Sequence, residues 1–182
     1  MARVLVPLAQ GCEELEAITI IDLLRRAEIE VVSAGLTAEA VRCSRGVVIV
    51  PDTTLDAVMD DHFDMIVLPG GLPGADYLDE DSRIRQLLQK TQQQGGYVAA
   101  ICAAPKVLAS AGLLVDKQVT SYPGVVDKMD LPGTAYIDQQ VVVDGNIITS
   151  RGPGTAMDFA LELIEKLQGS VTRNSVEAAL VR

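Results

Sequence analysis

The residue with the clearest chemical potential is Cys102, which stands where an apolar run ends. Tyr97 to Ile101 is the kind of continuous apolar run found in strands buried on both faces, and it follows the turn pair Gly95-Gly96. Pro105 falls where the first turn of a helix tolerates a missing N–H group. The pattern predicts strand, tight turn and helix. A thiol at such a bend faces the N-terminus of the helix, whose dipole and free N–H groups favour a thiolate.

The competing interpretation is that Cys102 is inert, because a lone cysteine in an apolar run is most often a small hydrophobic residue. Its position at the turn, rather than within the strand, favours the nucleophile. In open α/β sheets the site lies beyond the carboxyl ends of the strands. We therefore expect Cys102-Ala103 to meet two other turns there, Gly11 to Glu16 after the first strand and Pro69 to Gly74 after the third central strand.

Backbone N–H groups are the second chemical resource of these turns. Gly70 and Gly71 allow close approach of a ligand oxygen, and with the N–H group of Ala103 they could form an oxyanion hole. A phosphate cradle is disfavoured, because the turn lacks the G-x-G-x-x-G spacing and the Walker lysine. Ser150 to Thr155 could be an anion nest at a helix N-terminus, although a plain helix-start loop is the simpler interpretation.

Proton transfer needs an acid or a base near the thiol. Glu16 could point across at Cys102, where it would be protonated and would donate a hydrogen bond to the thiolate. The sequence alone favours a solvated helix-start acid for any one of Glu13, Glu14 and Glu16. His62 is the only histidine, and it precedes a strand, so we expect it on the surface at the opposite end of the sheet. A Cys-His dyad is therefore not predicted, and no Cys/His cluster has metal-ligand spacing.

Composition limits the class of protein. The chain has 182 residues, 48% of them hydrophobic, which predicts one domain over residues 1–182. The formal net charge of -10 and the 3% aromatic content disfavour nucleic-acid binding. Three widely separated cysteines are not a disulfide framework and fit a reducing compartment. No apolar stretch reaches the roughly 18 residues that span a bilayer, so we expect a cytoplasmic protein without membrane contact.

Strands alternate with helices along the chain. The predicted strands are Arg3 to Leu8, Ile29 to Ala34, Val41 to Cys43, Val47 to Val50, Met65 to Leu68, Tyr97 to Ile101 and Gln118 to Ser121, followed by a hairpin from Tyr136 to Ile148 that turns at Asp144-Gly145. The predicted helices begin at Glu13 or Glu14, Leu55, Asp81 or Ser82, Pro105, Thr155 and Val171. This order predicts an α/β fold, a flavodoxin-like three-layer sandwich with a mostly parallel sheet. The first helix is apolar on most faces, as expected if it packs between the sheet and a second subunit.

The chain resembles the ThiJ/PfpI superfamily, in the branch of the parkinsonism-associated protein deglycase and its bacterial YajL-like relatives. The motifs that carry the resemblance span nearly the whole chain: Gly11 to Glu16, Cys43 to Gly46, Val67 to Gly71, Ala99 to Pro105 and Thr149 to Thr155. The resemblance implies a homodimer and an oxidation-prone Cys102 held by a protonated Glu16, with the N–H groups of Gly71 and Ala103 nearby.

The resemblance also implies a reaction, the cofactor-free conversion of methylglyoxal or glyoxal to the hydroxy acid. Catalysis would rest on Cys102 and Glu16, with Gly70, Gly71, Ala103, Glu13, Arg45 and Tyr122 as oxyanion or substrate contacts. The alternative is an oxidative-stress sensor or chaperone-like protein, in which an oxidant converts Cys102 to a sulfinate without turnover. A cysteine peptidase or amidase is a third hypothesis, weakened because no histidine base is in place.

One departure from the family pattern bears on turnover. In the segment Val119 to Pro123, where the family commonly has a histidine, this chain has Tyr122. A phenol donates a hydrogen bond but is a poor base at neutral pH, which predicts reduced or absent turnover. Cys12, beside Glu13, is also unusual, and one hypothesis gives it the role of a resolving thiol.

Overall fold

The chain folds around a central sheet with helices on both faces, and the computed structural model describes residues 1–182. The strands are β1 Arg3–Leu8, β2 Glu30–Gly35, β3 Val41–Arg42, β4 Val48–Ile49, β5 Thr53–Thr54, β6 Met65–Leu68, β7 Tyr97–Ile101, β8 Gln118–Val119, β9 Ala135–Tyr136, β10 Val141–Asp144 and β11 Ile147–Ser150. The α-helices are α1 Glu14–Arg26, α2 Gly74–Glu80, α3 Ser82–Gln93, α4 Pro105–Ser110, α5 Ala156–Gln168 and α6 Ser170–Ala179.

Seven strands form the central sheet in the order β10-β11-β7-β6-β1-β2-β5. Every neighbouring pair is parallel except β10 and β11, which are antiparallel at one edge. The carboxyl ends of β1, β6 and β7 therefore lie side by side, and the loops that follow them meet. The predicted α/β fold with a mostly parallel sheet is confirmed.

Side-chain alternation along β1 divides the core between the two faces of the sheet. Val4, Val6 and Leu8 belong to the core shared with α1, α5 and α6, whereas Leu5 belongs to the core shared with α2, α3 and α4. Burying one such aliphatic side chain stabilises the fold by about 1.5–3 kcal/mol. Both faces are thus covered, as a parallel sheet requires.

Helix α1 is less enclosed than its composition predicts. It packs against α5 on the sheet, but its Leu15 and Ile18 side chains are 50% and 45% exposed. Neither α1 nor any other helix combines the length and apolar character that crossing a bilayer would require.

The hairpin near the C-terminus differs from the prediction. Asp144 pairs with Ile147, so the turn residues are Gly145 and Asn146 rather than Asp144-Gly145. The first strand of this hairpin was also predicted to begin too early, at Tyr136. Ala135–Tyr136 instead pairs in parallel with Gln118–Val119 in a separate two-stranded sheet. The Asp144 carboxylate contributes to this arrangement by accepting a hydrogen bond from the N–H group of Gln118 at 2.8 Å.

Helix α2 was not predicted from the sequence. It has only seven residues and no side-chain cap, and its buried face consists of Gly74, Ala75 and Leu78. A helix of two turns offers too few apolar repeats for a periodicity to be visible. The predicted helix at Leu55 to Met59 is a 3₁₀ turn over Asp56–Val58.

Candidate functional site

Cys102 occupies the bend between β7 and α4. Its φ angle is 63°, in the left-handed region that non-glycine residues seldom adopt. The backbone is held on both sides, because its N–H group donates to the Ser150 carbonyl at 3.0 Å and its carbonyl accepts from the Tyr122 N–H group at 2.9 Å. The helix begins at Pro105 as predicted but has only six residues. Its dipole is correspondingly small, so individual N–H groups, those of Gly71 and Ala103, are what favour ionisation of the thiol.

Glu16 lies in the first turn of α1 and is completely buried. Its Oε2 atom accepts a hydrogen bond from the Gly70 N–H group at 2.8 Å, whereas Oε1 has no hydrogen-bond partner. The carboxyl group interacts with the sulfur of Cys102. The expectation of a solvated acid is therefore wrong for Glu16, because the loop after β6 covers the start of α1.

The carboxyl group of Glu16 and the thiol of Cys102 titrate as a coupled pair. Burial raises the pKa of Glu16 to about 7, despite the opposing hydrogen bond from Gly70. Burial, followed by the Glu16 carboxylate, raises the pKa of Cys102 to about 12, while the N–H groups of Gly71 and Ala103 lower it. Two buried anions in contact are mutually destabilising, so the pair keeps at least one proton at neutral pH.

The loop after β6 reaches this pair only because it contains glycine. A Cβ atom on Gly70 would lie 2.7 Å from Cβ of Cys102 and 2.9 Å from Oε2 of Glu16. Gly71 has a φ of 87°, and a Cβ atom there would lie 2.3 Å from the backbone nitrogen of Glu13. The three predicted turns therefore meet. The oxyanion role predicted for Gly70 is wrong, because its N–H group is already bound to Glu16.

Glu14 ties the connection between β3 and β4 to the start of α1, a contact that the sequence did not predict. Its carboxylate accepts from the Arg45 N–H group at 2.9 Å and from the Ser44 hydroxyl at 3.0 Å. Burial would raise the pKa of Glu14, but these and other donors outweigh it and leave the pKa lowered. The Ser44 hydroxyl also lies 2.9 Å from Oε2 of Glu13. The adjacent acids at the helix start were the only signal of this contact.

A cleft of about 340 Å³ opens beside Cys102. Five predicted contact residues line it: Glu13, Arg45, Gly71, Ala103 and Tyr122. Four that were not assigned a role also line it: Ser44, Leu72, Val125 and Pro153. The Tyr122 side chain is 52% exposed, so its ring forms part of the open wall of the cleft. Gly70 is not among the lining residues, which agrees with its role beneath Glu16.

Two other predicted features lie outside this cleft. His62 is exposed at the opposite end of the sheet, 3.2 Å from the Gln94 side chain, as expected. Between Ser150 and Thr155 the two side-chain hydroxyls lie 2.7 Å apart, and Oγ1 of Thr155 accepts from the Gly152 N–H group. These internal bonds favour the helix-start interpretation over an anion nest. No group of three or more His, Cys, Asp and Glu side chains is placed to hold a metal ion.

The Cys12 side chain lies beside a second thiol, that of Cys43. Its sulfur lies 3.6 Å from the sulfur of Cys43, and both side chains are buried. Burial raises the pKa of Cys12 and of Cys43, so both are neutral thiols at pH 7.

Comparison with known proteins decides the family. A model of the DJ-1/PfpI family matches residues 2–166. The chain belongs to the DJ-1/PfpI family. Within this family, the chain is 49% identical over 179 residues to protein dj-1beta of Drosophila melanogaster, covering 97% of this chain and 95% of the relative. The crystal structure of Drosophila DJ-1beta matches with a TM-score of 0.95 at 48% identity, covering 99% of this chain and 97% of that chain.

Two further DJ-1/PfpI relatives are described by an activity or by an oxidation state. The glutathione-independent glyoxalase DJR-1.2 of Caenorhabditis elegans is 42% identical over 175 residues, covering 96% of this chain and 92% of the relative. A structure of Toxoplasma gondii DJ-1 described as oxidized matches with a TM-score of 0.93 at 39% identity, covering 100% of this chain and 98% of that chain. The resemblance drawn from the sequence motifs is thus confirmed at the level of the family.

Proposed function

We propose that this protein is a cofactor-independent glyoxalase or deglycase that acts on methylglyoxal, glyoxal or their adducts. The observation that carries the proposal is the contact between Cys102 and buried Glu16 at the base of an open cleft. Similarity to a glutathione-independent glyoxalase supports the reaction class. A thiol, an adjacent proton carrier and backbone N–H donors suffice for aldehyde chemistry without a cofactor.

The position of the retained proton determines whether Cys102 can act as a nucleophile. A thiolate at Cys102 would be stabilised by the N–H groups of Gly71 and Ala103, and Oε1 of Glu16 is free to carry a proton toward it. A carboxylate at Glu16 would receive one backbone bond, from Gly70. Protonating Glu16 also removes the negative charge that contributes to the raised pKa of the thiol. We therefore assign the proton to Glu16 and the charge to Cys102.

The reaction would proceed through a covalent adduct. The Cys102 thiolate attacks the aldehyde carbon of methylglyoxal, and the carbonyl oxygen takes a proton to give a hemithioacetal. Glu16 then moves a proton from that carbon to the neighbouring one through an enediol, which leaves a lactoyl thioester. Water cleaves the thioester, and lactate and the thiol are released.

The surroundings of the sulfur suit this sequence of steps. Once sulfur is bonded to carbon it accepts hydrogen bonds poorly, so the N–H groups of Gly71 and Ala103 become available to the substrate oxygen. The exposed Arg45 guanidinium at the cleft can hold the second oxygen of a dicarbonyl. Tyr122 supplies a hydroxyl donor but no base, so Glu16 carries the proton transfers alone. We expect slow turnover for this reason.

Lactate formation from methylglyoxal tests the proposal. The wild-type protein should release lactate, and Cys102→Ala should release none above the protein-free background. Cys43→Ala is the matched control, since it removes a thiol that does not line the cleft, and it should keep most of the activity. Equal rates for Cys102→Ala and the wild type would contradict the proposal, provided that circular dichroism shows both to be folded.

A second candidate function is an oxidant sensor based on the same residues. The Cys102 side chain is only partly buried, and the unpartnered Oε1 of Glu16 could donate to a sulfinate oxygen. Two equivalents of hydrogen peroxide would convert the thiolate first to a sulfenate and then to a sulfinate, releasing one water at each step. Titration with hydrogen peroxide should add two oxygens at Cys102 first, and Glu16→Leu should reduce that product. If another residue gains oxygen first, or Glu16→Leu changes nothing, this function fails.

We also infer a cytoplasmic homodimer. Leu15 and Ile18 of α1 are exposed, and so are Val47 and Val48 in the segment that the Glu14 carboxylate ties to α1 by accepting from the Val47 N–H group. Exposed apolar side chains on two joined segments suit contact with a second copy of the chain. Light scattering should give twice the monomer mass for the wild type and a lower mass for Ile18→Glu.

A further inference from the structure

The pair of buried thiols at Cys12 and Cys43 takes no part in the proposed reaction. Each lies in a loop: Cys12 between β1 and α1, and Cys43 directly after β3. Two backbone hydrogen bonds hold these loops side by side, one from the Gly11 N–H group to the Arg42 carbonyl and one from the Ser44 N–H group to the Cys12 carbonyl, both at 2.8 Å. The sulfur atoms face each other at 3.6 Å.

From this geometry we propose that Cys12 and Cys43 form a reversible intramolecular disulfide that locks the two loops together. A disulfide bond has a length of about 2.05 Å, so the sulfur atoms must approach by about 1.5 Å. That displacement is small for side-chain rotation combined with a small shift of loops outside the regular elements. The loops are otherwise joined by hydrogen bonds, including those between Ser44, Glu13 and Glu14.

The oxidant in this proposal is a hydroperoxide. One thiol gives up its proton and, as the thiolate, attacks the peroxide oxygen and becomes a sulfenic acid, and the hydroxide or alkoxide that is released takes up a proton. The second thiol then attacks that sulfur and displaces water, forming the S–S bond. In sum, two thiols and one hydrogen peroxide give one disulfide and two waters.

Burial determines the order of events. Cys12 is 0% exposed and Cys43 is 5% exposed, so attack begins at Cys43 during transient opening of its loop. Both thiols are neutral at pH 7 because burial raises their pKa values. We therefore expect the disulfide to form more slowly than the oxidation of Cys102, in a response to sustained rather than brief oxidant exposure.

The disulfide would make the two loops that carry Cys12 and Cys43 less flexible beside the cleft. The disulfide would close a loop of about thirty residues that contains β2 and β3, which restricts the unfolded chain. It would also fix the segment that precedes Glu13, a residue lining the cleft. For a chain of this size we expect a rise in Tm of about 5 °C.

Mass mapping on the full-length wild-type protein tests the proposal. The protein is treated with hydrogen peroxide, quenched with catalase, unfolded in N-ethylmaleimide at mildly acidic pH and digested without reduction. We expect a peptide pair linked through Cys12 and Cys43, which dithiothreitol converts to two free thiols. Reduced protein, Cys12→Ala and Cys43→Ala are controls that should yield no such pair.

Three results would overturn the proposal. The first is full alkylation of Cys12 and Cys43 after prolonged treatment in which Cys102 has already gained oxygen. The second is a linkage of Cys12 to Cys102 or to a second chain in place of the predicted pair. The third is an unchanged or lowered Tm in the linked protein, which would show that no lock is formed. Because the mapping measures linkage and not lactate, its failure is independent of the proposed enzymatic function.

Discussion

Two pairs of ionisable side chains lie close together in this fold, Glu16 with Cys102 and Cys12 with Cys43, and the two pairs differ in the groups that surround the sulfur. At Cys102, the Gly71 and Ala103 N–H groups favour the thiolate, and Glu16 can carry the shared proton. At Cys12, the neighbouring side chain is a second thiol at 3.6 Å in a largely apolar core. Burial raises the pKa of the cysteine in both pairs. The donors at the sulfur and the partial exposure of Cys102 therefore distinguish the more reactive thiol from the less reactive one.

The difference has a structural cause in the loop after β6. Gly70 and Gly71 bring one backbone N–H group to Glu16 and the next to Cys102. The same Gly71 packs against the backbone of Cys12, where an added Cβ atom would lie 2.7 Å from the carbonyl carbon. One loop thus supplies hydrogen-bond donors to the first pair and only packing contacts beside the second.

The largest effect is expected from Gly70→Ala. The added methyl group would meet Cβ of Cys102 and the Ile101 carbonyl within 2.8 Å, and neither is the end of a flexible side chain. We expect a loss of at least about 3 kcal/mol in the free energy of unfolding, measured with urea. Alkylation of Cys102 by iodoacetamide should also slow, while the reactivity of Cys12 and Cys43 in the folded protein should not fall.

Gly154→Ala is the matched control for this variant. A Cβ atom at Gly154 meets no other atom within 4 Å, so the substitution should be close to neutral. If Gly70→Ala were as stable as Gly154→Ala, the loop would be free to move, and the account of how it holds Cys102 and Glu16 would be wrong.

The next largest expected effect is on the pH dependence of stability, which should differ between the pair of Glu16 and Cys102 and the pair of Cys12 and Cys43. The pKa of Glu16 rises from its ordinary value near 4.5 to about 7 on folding, so the folded state binds more protons between these values. Stability should therefore fall as the pH rises from about 4.5 to 7, by about 3 kcal/mol in total, and then level off. The raised pKa values of Cys12 and Cys43 lie above this window and add no slope within it.

The measurement is the difference between the wild type and Glu16→Gln in urea unfolding at several pH values. Subtracting the two curves cancels the contributions of other carboxylates, such as Asp81 and Asp144. The pKa values of these groups are lowered in the folded protein, so they stabilise it less as the pH falls, opposite to Glu16. Parallel curves for the two proteins would mean that the pair of Glu16 and Cys102 loses no proton near pH 7.

Much of this fold follows from local patterns, and the position of Cys102 does too. The apolar runs at Met65 to Leu68 and Tyr97 to Ile101 gave the correct central strands, and the change of pattern at Pro105 gave the start of α4. Burial of a parallel strand on both faces leaves a strong trace in consecutive residues. The meeting of the three loops followed from topology alone.

The side-chain partners could not be predicted in the same way. Whether Glu14 and Glu16 face solvent depends on loops that are about 30 and 54 residues distant in sequence. The contact between Cys12 and Cys43 depends on how the β3 and β4 segment returns to the end of β1. The sequence leaves no local trace of such long-range pairings, which explains why the burial of Glu16 and the contact between Cys12 and Cys43 were not predicted.

Alkylation kinetics test the role assigned to the Glu16 proton. Glu16→Leu removes the carboxyl group that we propose donates to the thiolate, and losing such a hydrogen bond to a charged group should slow alkylation of Cys102 at pH 7 by about 10- to 100-fold. Glu16→Gln keeps an N–H donor of similar shape and should stay within a few-fold of the wild type. Intact-mass kinetics with iodoacetamide give both rates. Equal slowing in the two variants would show that the carboxyl group acts in another way.

The smallest effect is expected at the second pair, from Cys12→Ser. A hydroxyl group there is buried beside a sulfur atom 3.6 Å away, a poor hydrogen-bond partner, and we expect a loss of about 1–2 kcal/mol in the free energy of unfolding. Cys12→Ala removes the sulfur without introducing a polar atom and should be the less destabilising of the two. Urea midpoints at equal slopes measure both. If serine were tolerated better than alanine, the side chain at position 12 would have a hydrogen-bond partner. Donors at the sulfur would then no longer distinguish Cys102 from Cys12, and only the greater exposure of Cys102 to solvent would separate the two thiols.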